Sequence, residues 1–294
     1  MSPALRVLRR IYAEGVGALT LVVLAVAVWR LLASGGAAWG WVGAAVAWLA
    51  IGGYLGYILL GRPSDRARHL WPLSALSAVG LLAAGVGAAS AAAGGGPLVD
   101  ALAAVGVAVL GLAATLGYQY VYSRQHRSTG VPEVGDRLPD FPLATLTGEP
   151  TSSAVLRDRP RVILFYRGTW CPFCMTQVRE LAARYRELDR RGVGVALISP
   201  QRSDDSAELA TRFDVPMDFF VDADGAAARA LDLVQAGGVP MIYGAGTDGD
   251  TVVPTVLITD ARGTVIWRAV ADNHRVRPDP EVFLEVLDGA GITG

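Results

Sequence analysis

The stretch VILFYRGTWCPFC, residues 162–174, decides the fold of the second half of the chain. Its first five residues form a short apolar run, which is typical of a buried strand. The residues that follow predict a helix over Pro172–Arg190, because its apolar positions recur on one face: Cys174, Val178, Leu181, Tyr185 and Leu188. Cys171 and Cys174, the two cysteines of the chain, are therefore expected at a junction between a strand and a helix.

This junction favours thiol chemistry. Pro172 suits the first helical position, where no amide hydrogen is lost. Cys171 would then lie at the helix N-terminus, where free amides and the positive end of the dipole favour a thiolate. Arg167 adds positive charge. Cys174 lies on the apolar face, so we expect it to be more buried and to stay protonated to higher pH. The spacing brings both sulfurs within bonding reach and predicts a redox-active dithiol.

Other interpretations of the cysteine pair fit less well. A zinc site requires two more ligands, and the second half of the chain offers only His274. A structural disulfide is disfavoured for so short a loop in a domain expected to be cytoplasmic. Buried, inert thiols are the usual state of isolated cysteines, but not of a pair in this setting. We therefore predict no metal and no cofactor.

Apolar strands and amphipathic helices alternate along the second half, which is the pattern of an α/β domain. The predicted strands are 161–167, 193–199, 218–221, 255–259 and 264–270, and the predicted helices are 172–190, 204–213, 226–233 and 280–287.

Pro254 stands directly before an apolar strand, a place where proline is disfavoured. A cis peptide at this position would set a backbone edge against the dithiol and let it pair with an incoming peptide or thiol. The alternative is a trans proline that opens an edge strand.

The first half of the chain contains four apolar runs, at 15–32, 39–60, 71–93 and 98–122. Each has about the 20 residues that a helix needs to cross ~30 Å of hydrocarbon. The sequence thus predicts a transmembrane domain of four helices at 1–122, a linker at 123–133 and an α/β domain at 134–294.

The arginines predict the orientation of these helices. Basic residues occur before the first run, between the second and third, and after the fourth: Arg6, Arg9, Arg10, Arg62, Arg66, Arg68, Arg124 and Arg127. The connections Ser34–Ala38 and Gly94–Pro97 contain none. The positive-inside rule therefore places both termini and the α/β domain in the cytoplasm, in a multi-pass protein of the cell membrane.

The charge distribution excludes some partners. The first 130 residues carry a formal charge of about +6 and the remainder about −7. An acidic α/β domain argues against nucleic acid as a partner. The chain contains no lysine, so covalent catalysis through a lysine amine is excluded.

Three segments resemble the thioredoxin superfamily and, more narrowly, its peroxiredoxin-like AhpC/TSA (redoxin) branch. They are VGDRLPDF at 134–141, FYRGTWCPFC at 165–174 and VPTVLITD at 253–260. The resemblance implies a thioredoxin-like α/β fold, a central mixed sheet flanked by helices. This domain lies C-terminal to the all-α membrane domain.

The sequence departs from the peroxiredoxin pattern Pro-x-x-x-Thr-x-x-Cys. Aligning Cys174 with the peroxidatic cysteine puts Cys171 at the threonine, Arg167 at the proline and Pro254 at the expected arginine. The buried acid that thioredoxin carries before its dithiol is replaced by Phe165. These departures favour disulfide exchange over peroxide reduction.

Three functions remain open at this point. In the first, a thiol–disulfide oxidoreductase, Cys171 attacks, Cys174 resolves, Trp170 shields the site and Pro254 shapes the substrate groove. In the second, a thiol peroxidase, Cys174 forms the sulfenic acid and Cys171 resolves it. In the third, the domain is a non-catalytic tethered module. The expected partners are the lipid bilayer, a disulfide-bearing protein or a small thiol or peroxide, and an external thiol reductant.

Overall fold

The computed structural model describes residues 3–33, 38–60, 63, 67–125, 127–213, 215–244 and 248–293. The chain forms two compact units, and the change from one to the other falls between Arg124 and Gln125. Three residue groups used above lie outside the described residues: Ser34–Ala37, Arg62 and Arg66.

The first unit consists of four long helices. They are α1 (Pro3–Ala33), α2 (Trp39–Leu60), α3 (Trp71–Gly94) and α4 (Leu98–Gly117), and a π-helical turn (Tyr118–Tyr122) continues α4. Each helix, with that turn included for α4, is long and apolar enough to span a membrane, as the sequence predicted. α1 begins at Pro3, well before the predicted run at 15–32. Its first turns therefore include the arginines that precede that run.

Helices α2 and α3 pack with their backbones in close approach. A Cβ atom added to Gly43 would lie 2.4 Å from the backbone nitrogen of Ala84, and one added to Gly80 would lie 2.4 Å from that of Ala47. Small residues at such positions let two membrane helices approach closely. Gly43 and Gly80 are therefore required by packing.

An ion pair joins the ends of two helices. Arg30 near the end of α1 contacts Asp100 at the start of α4, with 2.9 Å between nitrogen and oxygen. The indole N–H of Trp41 donates to the same carboxylate at 3.1 Å, and the Arg30 guanidinium lies 5.6 Å from the Trp41 ring centre. The pairing neutralises two charges that would be costly near hydrocarbon.

The second unit contains nine described strands and four helices. The strands are β1 (Pro142–Ala144), β2 (Pro150–Ser152), β3 (Arg161–Phe165), β4 (Gly194–Ser199), β5 (Asp218–Val221), β6 (Val234–Gln235), β7 (Thr251–Val252), β8 (Thr255–Thr259) and β9 (Val265–Val270). The helices are α5 (Pro172–Arg190), α6 (Ser203–Thr211), α7 (Ala226–Ala230) and α8 (Pro280–Gly289), and a 3-10 helix covers Ser153–Arg157.

Seven strands form one mixed sheet in the order β2-β1-β5-β4-β3-β8-β9. Strands β3, β4 and β5 run parallel, whereas β8 is antiparallel to β3 and β9 is antiparallel to β8. β6 and β7 form a separate antiparallel pair. The order β4-β3-β8-β9, with α5 between β3 and β4 and α8 after β9, is the thioredoxin-like arrangement. The predicted fold class is confirmed.

The centre of the sheet forms the core. Every residue of β3, β4 and β8 is buried, as expected for strands covered on both faces. Ile163 and Phe165 pack in one apolar cluster with Ile198, Leu257 and Ala228 of α7. Phe165 pairs with Ile198 on one side and with Thr255 on the other. The loop that follows β3 therefore starts from a rigid position.

The structure differs from the prediction mainly in short elements. β1, β2, β6 and β7 have two or three residues each, too few to show a period in sequence. The helix predicted at 226–233 ends at Ala230, just before Asp232, whose φ of 52° is outside the helical region. The strand predicted at 161–167 ends at Phe165, close to Gly168 with a φ of 147°.

The contact between α2 and α3 generates a prediction. Gly80→Ala should destabilise the helical unit by about 1–3 kcal/mol, the usual cost of forcing extra volume into a packed interior. Gly85→Ala is the matched control on the same helix, because a Cβ there meets nothing within 4 Å. Thermal unfolding in detergent measures the difference. A Gly80→Ala protein as stable as the Gly85→Ala protein would contradict the close packing.

Candidate active site

The dithiol lies where α5 begins. Cys171 is the N-cap residue of α5 and Pro172 is its first residue. Both cysteines are reduced, and their sulfurs lie 2.8 Å apart. Their exposed fractions are 1% for Cys171 and 0% for Cys174. Cys171 is therefore as buried as Cys174, although the sequence led us to expect Cys174 to be clearly the more buried thiol.

The acid thiol is Cys174. Burial opposes its ionisation, but a hydrogen bond from Cys171 and the charges of Arg277 and Arg167 lower the pKa of Cys174 to about 5. Burial and the hydrogen bond to Cys174 raise the pKa of Cys171 well above its usual value. These two directions are the opposite of the order of acidity that the sequence predicted. The helix N-terminus is not the only source of positive charge at the pair, because the Arg277 guanidinium contacts the Cys174 sulfur.

Arg277 is the functional residue that the sequence did not reveal. Its Nη2 lies 3.7 Å from the Cys174 sulfur, and its side chain is buried. Its Nη1 donates to the carbonyl of Val276 at 2.9 Å. Arg277 lies in an irregular segment after β9 and 103 residues beyond Cys174, so no period or spacing marks it. It places a cation beside Cys174, whereas the peroxiredoxin pattern has its arginine at the position of Pro254.

Arg167 and Trp170, which the sequence predicted beside the dithiol, belong to the loop that leads into it. Arg167 is buried and donates through Nη2 to the carbonyl of Gly238. Its guanidinium lies 4.6 Å from the Trp170 ring centre, a cation–π distance. Trp170 also stacks on Tyr243, with ring centres 6.0 Å apart. The catalytic and supporting roles of these residues remain predictions.

Gln201 holds the loop that leads into the dithiol. Its side-chain oxygen accepts from the backbone N–H of Thr169 at 2.7 Å. Its amide nitrogen donates to the Tyr166 hydroxyl at 3.0 Å and to the Ser206 hydroxyl at 2.8 Å. Burial raises the pKa of Tyr166 to about 12, so this hydroxyl stays neutral. The network fixes residues 168–170 against the sheet and α6, and no sequence motif indicated it.

Pro254 directly precedes β8, as predicted, but its peptide bond is not in the expected cis form. The pairing of Phe165 with Thr255 places Pro254 opposite Tyr166, at the end of β3 from which the dithiol loop departs. The described residues contain no cis peptide bond, so the expected cis bond is wrong. The alternative of an edge strand is also wrong, because β8 lies between β3 and β9. A role of Pro254 in shaping a groove stays a prediction.

The described residues hold no group of three or more His, Cys, Asp or Glu side chains that suits a metal ion. His274, the remaining candidate ligand, instead packs its ring edge-to-face against Phe173, with ring centres 5.8 Å apart.

The contact between Arg277 and Cys174 generates a prediction. In the reduced protein, alkylation of Cys174 by iodoacetamide should rise with pH around a midpoint of about 5. Arg277→Gln should move that midpoint upward by about one unit or more, because an adjacent opposite charge favours the ionised form. Peptide mass spectrometry after timed alkylation gives the midpoint. Arg262→Gln removes a largely exposed arginine and should leave it unchanged. An unchanged midpoint in Arg277→Gln would contradict the assignment.

Comparisons with known proteins find matches to the second half of this chain. Residues 134–268 match the AhpC/TSA family. Two proteins of Mycobacterium tuberculosis, from strains CDC 1551 and H37Rv, carry peroxiredoxin names and are 33% identical over 100 residues. That match covers 33% of this chain and 63% of each relative, so this chain spans less than two thirds of their length.

Two solved structures have a similar fold over about half of this chain. Peroxidoxin BcpB of Mycobacterium tuberculosis is 22% identical with a TM-score of 0.44, over 53% of this chain and 97% of that one. Reduced Prx3 of Vibrio vulnificus in complex with hydrogen peroxide is 19% identical with a TM-score of 0.46, over 55% and 99%. The family match confirms the predicted resemblance. Residues 134–268 are thus similar to the AhpC/TSA family, and in this chain they follow four long apolar helices.

Proposed function

We propose that the second unit is a thiol-dependent peroxidase in which Cys174 attacks the peroxide and Cys171 resolves the product. One observation carries the proposal: the Cys174 sulfur is fully buried and lies 3.7 Å from the Arg277 guanidinium. A cation in contact with a buried sulfur stabilises the thiolate, which is the nucleophilic form.

The reaction requires two steps. The Cys174 thiolate attacks one peroxide oxygen, an S–O bond forms, the O–O bond breaks, and the departing alkoxide or hydroxide takes a proton. The Cys171 thiol then attacks the sulfenic acid of Cys174, and a disulfide and one water form. The sulfurs already lie 2.8 Å apart, so the second step needs no unwinding of α5.

Burial favours a peroxide over a protein disulfide as the oxidising substrate. Neither cysteine is more than 1% exposed. A protein disulfide reacts only if one of its sulfurs is brought into line with the attacking thiolate, and this burial hinders that approach. A peroxide is small and uncharged, and its oxygen atoms can accept a hydrogen bond from the Arg277 guanidinium. Burial of both sulfurs thus favours peroxide reduction over the disulfide exchange that the sequence favoured.

The comparisons support the same choice. The AhpC/TSA match covers the dithiol and β8, and the two relatives are named as peroxiredoxins. The relatives are matched over 63% of their length, so the activity of this chain remains our proposal.

A second candidate is the thiol–disulfide oxidoreductase. The observation in its favour is the position of Cys171 as N-cap of α5, directly before Pro172. In that reaction Cys171 attacks a substrate disulfide and Cys174 resolves it. The two candidates therefore assign opposite roles to the same two sulfurs.

Single cysteine variants separate the two candidates. Cys174→Ser should abolish oxidation by peroxide, lowering the rate constant to that of a free thiol. Cys171→Ser should still consume one equivalent of peroxide and accumulate a sulfenic acid that dimedone traps. Stopped-flow mixing of the reduced full-length chain with hydrogen peroxide measures both. Rapid peroxide consumption by Cys174→Ser would reject the proposed roles. A wild-type rate no faster than free cysteine would reject the peroxidase and leave the oxidoreductase.

We further propose that the four helices span the cell membrane with both chain ends and the redox domain in the cytoplasm. The support is the length and apolar character of the helices together with the positions of the arginines. The lipid bilayer is then a partner of the first unit.

Labelling tests this orientation. In a Cys171→Ser, Cys174→Ser background, Ala93→Cys near the end of α3 should react with a membrane-impermeant maleimide in intact cells. Val155→Cys, on an exposed part of the redox domain, should react only after permeabilisation. Labelling of Val155→Cys in intact cells would place the domain outside.

A further inference from the structure

Gln177 is a buried polar residue of α5 that the steps proposed above do not use. It is 2% exposed, and neither its amide nitrogen nor its amide oxygen has a hydrogen-bond partner within the part of the chain that the structure describes. A buried polar group without a partner destabilises a fold, and such groups are rare in folded proteins. The fold thus keeps a carboxamide where an apolar side chain would be more stable, which indicates a role beyond packing.

Gln177 lies beside Cys174 on one face of the helix. The two residues are three apart in α5, and both belong to its buried face. Side chains at this spacing are neighbours, with about 5–6 Å between their Cβ atoms. A long side chain on a helix also leans toward the helix N-terminus and covers the turn before its own. For Gln177 that turn contains Cys174, so its carboxamide extends toward the surroundings of the Cys174 sulfur.

Two other donors already contact this sulfur. The Arg277 Nη2 lies 3.7 Å from it, and the Cys171 thiol lies 2.8 Å from it. Both favour the thiolate before the reaction begins. When the thiolate attacks a peroxide, negative charge moves from the sulfur to the departing oxygen, and a donor accelerates the step only if it binds that oxygen more strongly as the charge develops. The amide N–H of Gln177 is a donor of this kind, because it is not used in the resting site.

We propose that Gln177 is a catalytic residue of the peroxide reaction, and that its Nε2–H donates a hydrogen bond to the peroxide oxygen that departs. The inference rests on the proposed function, because it assigns a role in the attack of Cys174 on a peroxide. Any opening of the site that admits a peroxide to the fully buried Cys174 also admits it to Gln177, one helical turn away.

The step balances without further reactants except water. The Cys174 sulfur forms a bond to one oxygen, the O–O bond breaks, and its electron pair goes to the other oxygen. That oxygen departs as hydroxide or alkoxide, held by the hydrogen bond from Gln177, and takes a proton from water. The amide of Gln177 keeps its own hydrogen throughout. The products are the Cys174 sulfenic acid and water or an alcohol.

Gln177→Met tests this role, since methionine has a side chain of similar length and no N–H donor. The reduced full-length chain in detergent is mixed with hydrogen peroxide in a stopped-flow instrument, and the alkylation of Cys174 by iodoacetamide is timed separately by peptide mass spectrometry. The rate constant with peroxide should fall on the order of 100-fold, the effect of removing one donor to a developing oxyanion. The alkylation rate should not change, because iodoacetamide has no oxygen that departs.

Two further variants control for effects on folding. Gln177→Leu replaces the carboxamide by an apolar side chain of another shape and should give the same selective loss. Thr259→Val is the matched control. The Thr259 hydroxyl is also buried and without a partner among the described residues, but Thr259 pairs with Arg161, at the end of β3 opposite to the dithiol loop. Thr259→Val should change neither rate. Neither Gln177 variant should unfold at a lower temperature than the wild type, because each removes a buried group that has no partner.

Three results would overturn the role of Gln177. The first is an unchanged peroxide rate in both variants. The second is an equal loss in the peroxide and alkylation rates, which would mean that Gln177 acts on the thiolate or the shape of the site. The third is a clear loss of thermal stability in both variants, which would mean that the carboxamide is bound within the fold.

Failure of this role is distinguishable from failure of the proposed function. A wild-type chain that reacts with peroxide no faster than free cysteine rejects the peroxidase and this role with it. A wild-type chain that reacts rapidly, together with variants that react equally fast, keeps the peroxidase and rejects only the role of Gln177.

Discussion

The contact between the Arg277 guanidinium and the Cys174 sulfur is the interaction on which the chemistry of the redox domain depends. A thiolate without a neighbouring charge is disfavoured in a buried site, since burial raises the pKa of a thiol. Here the sulfur has no exposed surface, yet the pKa of Cys174 is about 5. Arg277, Arg167 and the Cys171 hydrogen bond together overcome the cost of burial. They also separate the roles of the two thiols, because the same hydrogen bond keeps Cys171 protonated.

The fold brings these groups together from distant parts of the chain. The central strands place the end of β3, the start of β8 and the start of α5 at one end of the sheet. Gln201, which follows β4, ties the loop between β3 and α5 to Tyr166 and Ser206. The segment after β9 returns Arg277 to the first turn of α5. Each group of the candidate site is thus supported by an element that is itself fixed by the apolar core.

Elements with a clear period were predictable from the sequence. The helix Pro172–Arg190 and the strand Thr255–Thr259 were predicted with their observed bounds, because apolar residues recur in them over one face or in one buried run. Cys171 and Cys174 were recognisable from their place between strand and helix. Strands of two or three residues, such as β6 and β7, have no such signal. Arg277 was not predictable either, since its contact with Cys174 depends on the path of an irregular segment. That contact favours a thiolate at Cys174, and no feature of the sequence pointed to it.

The most direct test of this account is an NMR titration of the reduced full-length chain with carbon-13 at the cysteine Cβ atoms, which gives the two thiols separate signals. The account predicts that the Cys174 signal titrates with a midpoint near pH 5, while the Cys171 signal does not change through neutral pH. A Cys171 signal that titrates first, with Cys174 unchanged through neutral pH, would contradict the central claim and restore Cys171 as the attacking thiol.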